Sequence, residues 1–379
     1  MSLTQSAAKS RTAKNRAGRA GQSHRASRAL DVLVRTVAPI VFALVASGLM
    51  IAAMGADPLS FFADVVRLGL LGQGWQHTLT AMAPLLLVAL GLIIAFRAQL
   101  WNLSYAGTYV LAAAIIAGVA PDVMAVLPFG LAILVLFAMA LAVGAAVALV
   151  PALLKTRFGI NEVVTSLMVS FITISGANLL IRGVLKDPAV SVPQTRVLDL
   201  QYMLPYVPGT RVHVGVVIAL VRVVLAQGVL TQTSFGLRID VMAKSPAAAL
   251  HAGIDVKRLT IGVFVLSGMM IALAAAVDML GLWGYSRAAW NPGYGDKILP
   301  FVFLARLSPL AAVPLVGFYA LLATGGAVAA QRAGLSIDVL SVFVALVLFC
   351  MLAVEFAGRR RPAPGRWGHS YLRTRGGGT

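Results

Sequence analysis

The sequence predicts an all-α, polytopic integral membrane protein with about 8–10 transmembrane helices. Of its 379 residues, 59% are hydrophobic and only 12% are charged, whereas a soluble domain typically carries about 25% charged residues. A chain with so little polar surface cannot cover itself in water, so the composition excludes an ordinary soluble enzyme. The single cysteine, Cys350, excludes an intrachain disulfide framework and a cysteine-based metal site.

Apolar stretches recur along the chain at the length that a bilayer crossing requires, which is about 20 residues. The predicted spans are residues 36–56, 79–96, 103–119, 127–153, 162–181, 213–230, 260–284, 310–330 and 337–357. A shorter apolar stretch at 297–305 predicts a half-helix or a re-entrant element. Together these elements predict one transmembrane domain over residues 35–357, with an even number of membrane elements that places both ends of the chain on one side.

The net charge of +18 is concentrated in the two tails, which cover residues 1–34 and 358–379. Each tail carries several Lys or Arg residues and no acid, apart from Asp31 near the first span. An excess of Lys and Arg is typical of the cytoplasmic side of a membrane. Both tails are therefore predicted to be disordered and cytoplasmic, attracted to the lipid bilayer rather than to nucleic acid.

The segment 231–259 has no run long enough to span the membrane and is predicted to lie in the cytoplasm. Ser245 and Pro246 are the residue types of a helix N-cap and first helical position, and Gly253 is suited to ending the helix. Ala247 and Ala248 give this short helix a small-residue face that suits docking into the groove of a partner protein. An ordinary amphipathic connector is the alternative interpretation.

Four runs of sequence resemble one transporter family. FGLRIDVMAKSPAAALHAGIDVKRL resembles the cytoplasmic coupling loop of ABC-importer permeases of the branched-chain amino acid, sugar and nucleoside group, and it is most similar to the nucleoside and simple-sugar permeases. IAFRAQLWNLSYAGTYVLAAA, LLKTRFGINEVVTSLMVSFI and VLSGMMIALAAAVDMLGLWG…NPGYGDKILPFVFLARLSPLAAV resemble further family regions, in the family's order. The chain departs from the family pattern at Ala106, Thr108, Ser170 and Ala243, which bears on the substrate more than on the fold.

The resemblance implies a permease subunit of a bacterial ABC importer, without enzymatic activity or a cofactor, that forms the pathway for a nucleoside or related small polar solute. Its implied partners are cytoplasmic ABC ATPase subunits, a second permease subunit, identical or paralogous, and a periplasmic or lipid-anchored substrate-binding protein. The implied location is the inner (plasma) membrane. The residues implied to couple the permease to the ATPase are Arg238, Ser245, Pro246, Ala247, Ala248 and Gly253. The chain has no G-x-x-x-x-G-K-[ST] loop of its own, which fits a subunit energised by separate ATPases.

Polar residues in or beside the spans are candidates for the substrate pathway, because such groups are costly in a bilayer. These candidates are Asn102, Tyr105, Asn161, Arg222 and Asp278. Asp278 matches a glutamate of the family, whereas Arg222 has snorkelling to the interface as an equal alternative.

Structural roles are the alternative for the remaining candidates. Helix capping and interface anchoring are favoured for Asn102 and Tyr105, and Asn161 precedes a helix start at Glu162. Trp283 and Trp290 are interpreted first as interfacial anchors, with an aromatic platform for a base or sugar ring as the second interpretation.

Two other functions remain open at this point. An ion-coupled secondary transporter needs coupling residues within the membrane, for which Arg222 and Asp278 are a thin set. An intramembrane transferase needs a cluster of acids, histidines or nucleophiles, which the spacing of the sequence does not show.

Overall fold

The computed structural model describes residues 41–42, 44–336, 339, 341–342, 344–346 and 349. The predicted tails at 1–34 and 358–379, Cys350 and most of the predicted span at 337–357 lie outside the described residues, as does the start of the span at 36–56. Residues 60–334 form one compact unit, and the described residues on either side of it belong to a second unit.

Twelve α-helices lie between residues 44 and 332, within the described part of the chain. In chain order they are α1 (Leu44–Ala53), α2 (Pro58–Leu70), α3 (Gly74–Arg97), α4 (Tyr105–Val126), α5 (Phe129–Phe158), α6 (Glu162–Arg182), α7 (Gly215–Gln232), α8 (Ser234–Lys244), α9 (Pro246–His251), α10 (Val256–Asp278), α11 (Tyr294–Leu304) and α12 (Pro309–Arg332). A π-helical turn, Met279–Trp283, prolongs α10.

The predicted all-α membrane fold is confirmed. Helices α3 to α7, α10 with its π-helical turn, and α12 are each long and apolar enough to cross a membrane. Each of these seven overlaps one predicted span. Helices α1 and α2 meet the same criterion only as a pair, which would make an eighth span.

The short apolar stretch at 297–305 lies in helix α11. Its 11 residues extend about 16 Å at about 1.5 Å per residue, which is half of a bilayer's hydrocarbon core. Helix α2 was not among the predicted elements, because Asp64 and Arg67 interrupt its apolar run. The structure instead pairs Asp64 with Arg332 at the end of α12, at 3.7 Å.

Helices α3 and α10 form the centre of the compact unit. In their most apolar stretches 89% of α3 and 72% of α10 are buried, compared with 28% of α5 and of α7. Glycine permits the close approach: a Cβ on Gly268 would lie 2.3 Å from the carbonyl oxygen of Gly144, and one on Gly91 would lie 2.8 Å from that of Ser267. Close van der Waals packing of this kind holds helices together in lipid, where burial of apolar surface supplies little driving force.

The loop between α6 and α7, residues 183–214, packs on the end of α10 and holds the π-helical turn in place. The amide of Leu204 donates to the carbonyl of Leu280 at 2.8 Å, and that of Leu198 donates to the carbonyl of Gly284 at 2.9 Å. The side chains of Leu198 and Leu204 are buried in a cluster with Leu280. These contacts position the backbone that directly follows Asp278.

Candidate functional site

A buried carboxyl group lies where α10 changes from α-helical to π-helical geometry. Asp278 is only 1% exposed. Its Oδ2 accepts hydrogen bonds from two phenols, Tyr109 of α4 and Tyr294 at the start of α11, the second at 3.2 Å. Buried polar groups require such partners, and π-helical turns recur at functional sites. Three elements therefore meet at one acidic side chain, and one of them, α4, is distant from the other two in the sequence.

Aromatic rings connect this carboxyl to the surface of the subunit. The rings of Tyr109 and Tyr294 meet edge to face with centroids 5.4 Å apart, and the ring of Trp290 lies 6.4 Å from Tyr109. Trp283 packs edge to face on Trp290 at 5.4 Å and is 39% exposed. We call these five residues the aromatic–carboxyl cluster. The arrangement combines aromatic rings with a buried hydrogen-bond acceptor.

Tyr105 extends the cluster by one helical turn along α4. Its hydroxyl donates to Asp296 of α11 at 2.6 Å. The ring lies directly against Gly295, where a Cβ would come within 2.1 Å of it. Helix α4 thus contacts one carboxyl on each of two helices, Asp296 of α11 through Tyr105 and Asp278 of α10 through Tyr109. The predicted pathway residues Tyr105 and Asp278 therefore lie beside adjacent turns of α4.

The other three predicted pathway residues lie apart from this cluster. Asn102 is fully buried, accepts from the Ser104 hydroxyl at 2.7 Å and donates to Ser267 of α10 at 3.1 Å. Asn161 is exposed and caps α6, since its Oδ1 accepts from the Val163 amide at 2.8 Å. Arg222 is partly exposed on α7 and has no ion pair or hydrogen bond to any side chain within the described residues.

Residues 234–253, which comprise α8, Ser245, α9, Ala252 and Gly253, are called the docking segment. Within it, α9 has the local structure that the sequence predicts, whereas α8 was not predicted. The Ser245 hydroxyl oxygen accepts from the Ala248 amide at 3.2 Å, and Pro246 begins α9. Gly253 adopts the left-handed conformation, with φ +74°. Arg238, Pro246, Ala247 and Ala248 are exposed.

The docking segment also presents larger apolar side chains. Leu237 and Leu250 are 66% and 63% exposed. Beneath them Ile239 and Ala249 are fully buried. The segment is therefore anchored on one side and offers an apolar surface on the other.

An ion pair joins the docking segment to the central helix α3. The Arg97 guanidinium donates through Nε and Nη2 to the two carboxylate oxygens of Asp240, at 2.8 and 2.9 Å. The hydrogen bond from Arg97 lowers the pKa of Asp240 below its usual value, so this carboxyl stays charged at neutral pH. A bidentate contact of this kind fixes the orientation of the two side chains as well as the distance between them.

Several residues of these sites were not singled out from the sequence. Tyr109 lies within an apolar run, and its only sequence signal is its position one helical turn after Tyr105 on the same face of α4. Tyr294 stands in NPGYGD, inside a run that resembles the family. Arg97 and Asp240 are separated by 143 positions, and no spacing rule joins them.

Comparison with known proteins gives a consistent assignment. Residues 75–354 match the family model described as branched-chain amino acid transport system / permease component. A glucose ABC transporter permease protein of Haloferax volcanii is 30% identical, covering 86% of this chain and 88% of that protein. A nucleoside ABC transporter permease protein of Lactococcus lactis is 24% identical over 86% of this chain and 91% of its own length.

A third relative, a guanosine ABC transporter permease protein of Bacillus subtilis, is 25% identical over 68% of this chain and 74% of its own length. No solved structure shows a significant match to the chain. The family match covers most of the chain and spans both the aromatic–carboxyl cluster and the docking segment. The protein thus belongs to the branched-chain amino acid transport system / permease component family, and it is a transporter subunit rather than an enzyme.

Proposed function

We propose that this chain forms the translocation pathway of an importer for a nucleoside or a related small polar solute, and that separate ATPase subunits energise it. Membership of the permease family supports a pathway-forming subunit that is distinct from the ATPase subunits. The relatives named for glucose, nucleoside and guanosine transport support a hydroxylated, ring-containing solute.

The observation that carries the proposal is the aromatic–carboxyl cluster. A carboxyl that is 1% exposed is costly inside a membrane protein and is a functional candidate by default. Asp278 can accept hydrogen bonds from ribose hydroxyls or base N–H groups, and the Trp283 and Trp290 rings can stack on a planar or sugar ring. Secondary transporters also build such sites near helix breaks, but family membership favours the ATP-driven form.

The docking segment is the proposed contact for the ATPase. Its exposed Ala247 and Ala248 permit close approach of a partner backbone, and Leu237 and Leu250 supply apolar area for the interface. Under this proposal, the docking segment and both chain termini lie in the cytoplasm. The subunit would pair with a second permease subunit in the inner membrane and receive substrate from a binding protein on the opposite side.

One substitution tests the docking segment. Ala248→Glu places a charged side chain on the exposed face of α9, so we expect ATPase co-purification and ATP-dependent uptake to be lost while membrane insertion is unchanged. Ala189→Glu is the matched control, because it makes the same substitution at an exposed position of the loop between α6 and α7, outside the docking segment. Normal ATPase co-purification by Ala248→Glu would overturn the docking role.

Uptake into proteoliposomes tests the energy source and the cargo. With the ATPase subunits and binding protein present, we expect ATP-dependent uptake of labelled guanosine or uridine, with glucose as the comparison solute. Uptake that continues without the ATPase and collapses with an ion gradient would overturn the importer assignment. Preference for glucose over both nucleosides would overturn the nucleoside assignment alone.

A further inference from the structure

The last two residues of α3, Phe96 and Arg97, contact two different elements. Arg97 makes the two-pronged ion pair with Asp240 of α8, at 2.8 and 2.9 Å. The Phe96 ring stacks on the ring of Phe303 in α11, with centroids 5.3 Å apart and planes 11° from parallel. Adjacent residues of the most buried helix therefore join the docking segment and α11.

These two contacts complete a continuous path through the subunit. Asp240 lies in α8, which packs against α9, and α9 carries the exposed small-residue face. Phe303 lies in the last turn of α11, and the first residue of the same helix, Tyr294, donates its hydroxyl to Asp278. Both residues belong to the same 11-residue helix, in which Pro300 lies between them, so displacement of the Phe303 end is carried towards Tyr294 through this helix.

Of the four non-glycine residues with positive φ in the described part of the chain, three lie where α3 and α11 end, and the fourth is Ala289. Gln99 follows α3 with φ +57°, and Arg306 and Leu307 follow α11 with φ +52° and +57°. Left-handed conformations of non-glycine residues are costly and collect at sites where conformation matters. Gln99 and Leu307 line one small cleft together with Phe96, Trp101 and Phe303.

The Arg97–Asp240 ion pair is less exposed than a typical surface ion pair and has a more sharply defined orientation. The side chains of Arg97 and Asp240 are only 21% and 37% exposed, so water screens the pair less than it screens a surface pair. Arginine in two-pronged geometry resists rotation as well as separation, which a lysine would not. By contrast, Arg258 and Asp255 form a pair within one helical turn, at 89% and 52% exposure.

We propose that Phe96 and Arg97 are positioning residues that transmit movement of the docking segment to α11 and so to the aromatic–carboxyl cluster. The proposal rests on the proposed function, since it requires an ATPase to move the docking segment. A shift of α8 pulls on Arg97, the end of α3 shifts with it, and Phe96 repacks against Phe303. Helix α11 then changes the contact between Tyr294 and Asp278.

Cysteine accessibility in the full importer tests this path. A Leu307→Cys reporter is placed in a Cys350→Ser background, which removes the single native cysteine. Its rate of labelling by a membrane-impermeant maleimide is measured without nucleotide and with ATP plus vanadate. We expect the two rates to differ by at least about fivefold, the lower end of typical coupling between sites.

Substitutions in the pair should remove the nucleotide response of the reporter without removing the ATPase. We expect Arg97→Ala and Asp240→Asn to bring the two rates together, and Arg97→Lys to restore part of the difference. Arg258→Ala is the matched control and should leave the response intact. A merely structural role would change protein yield or both rates in parallel, whereas the ratio of the rates reports transmission.

The outcomes separate the two proposals. If the ATPase co-purifies and the ratio survives in Arg97→Ala, transmission through the pair is overturned and the importer assignment stands. If the unsubstituted reporter shows no nucleotide response in an intact complex, transmission is likewise overturned. If no variant or parent protein binds the ATPase, the importer assignment itself fails and the transmission proposal fails with it.

Discussion

The aromatic–carboxyl cluster and the docking segment are built in opposite ways. The cluster assembles Tyr109, Asp278 and Tyr294 from three elements, and Tyr109 and Asp278 are 169 positions apart. The docking segment is contiguous, and the cap of α9 joins residues only three positions apart. One site depends on the packing of the whole unit, whereas the other depends on its own short sequence.

This difference sets the size of the effects that substitutions should have. A buried polar group that loses its partner costs about 1–3 kcal/mol. An exposed helix cap contributes about 1 kcal/mol, and an exposed charge less than about 1 kcal/mol. Substitutions in the cluster should therefore outweigh those in the docking segment that leave its apolar surface intact.

The largest effect is expected from Asp278→Ala. The change leaves the hydroxyls of Tyr109 and Tyr294 without their shared acceptor, so we expect guanosine uptake by proteoliposomes to fall by more than about tenfold. ATPase co-purification should be unchanged, because the docking segment does not contact Asp278. Asp199→Ala, at an exposed loop position, is the control, and equal uptake by the two variants would contradict a pathway role for Asp278.

A smaller effect is expected from Tyr109→Phe, which removes one hydrogen bond and keeps the ring. Since Tyr294 still donates to Asp278, we expect uptake to fall by about tenfold or less, corresponding to about 1.4 kcal/mol. Initial rates of uptake at several guanosine concentrations provide the measurement. Tyr206→Phe, at a 54% exposed position, should be silent, and an equal loss in both variants would argue against the cluster.

In the docking segment, Ser245→Ala should weaken ATPase binding modestly. The variant loses the cap on the Ala248 amide, and a loss of about 1 kcal/mol lowers affinity by about fivefold. Ser245→Asp retains a capping oxygen and should restore binding. ATPase affinity measured in detergent distinguishes the two variants, and the prediction is wrong if neither variant differs from the parent.

The smallest effect is expected from Arg238→Ala. This arginine is exposed, so its contribution to ATPase binding is electrostatic and should be under about 1 kcal/mol. The difference from the parent protein should disappear as salt is raised towards about 1 M, where the screening length shortens to about 3 Å. A large loss that persists at high salt would assign Arg238 to the buried part of the interface instead.

Local features followed closely from the residue types. Ser245, Pro246 and Gly253 begin and end the α9 region as predicted, because capping and left-handed turns depend on neighbouring backbone groups. The predicted spans at 79–96 and 310–330 correspond to α3 and α12, because hydropathy is a local property. Helix α2 was not predicted because charged residues interrupt its apolar run, and the π-helical turn was not predicted because contacts from the distant loop 183–214 hold it in place.

The sequence by itself determined that the chain spans a membrane through apolar helices, that residues 245–253 form a capped helical turn, and that a short apolar element lies near residue 300. These properties depend on side-chain hydropathy and on backbone groups within a few residues. Only the tertiary structure decided that Tyr109 and Tyr294 share Asp278 and that Arg97 holds Asp240. Those contacts arise from close approach of helices far apart in the sequence, where glycines such as Gly268 allow backbones to meet, and no single segment encodes such an approach.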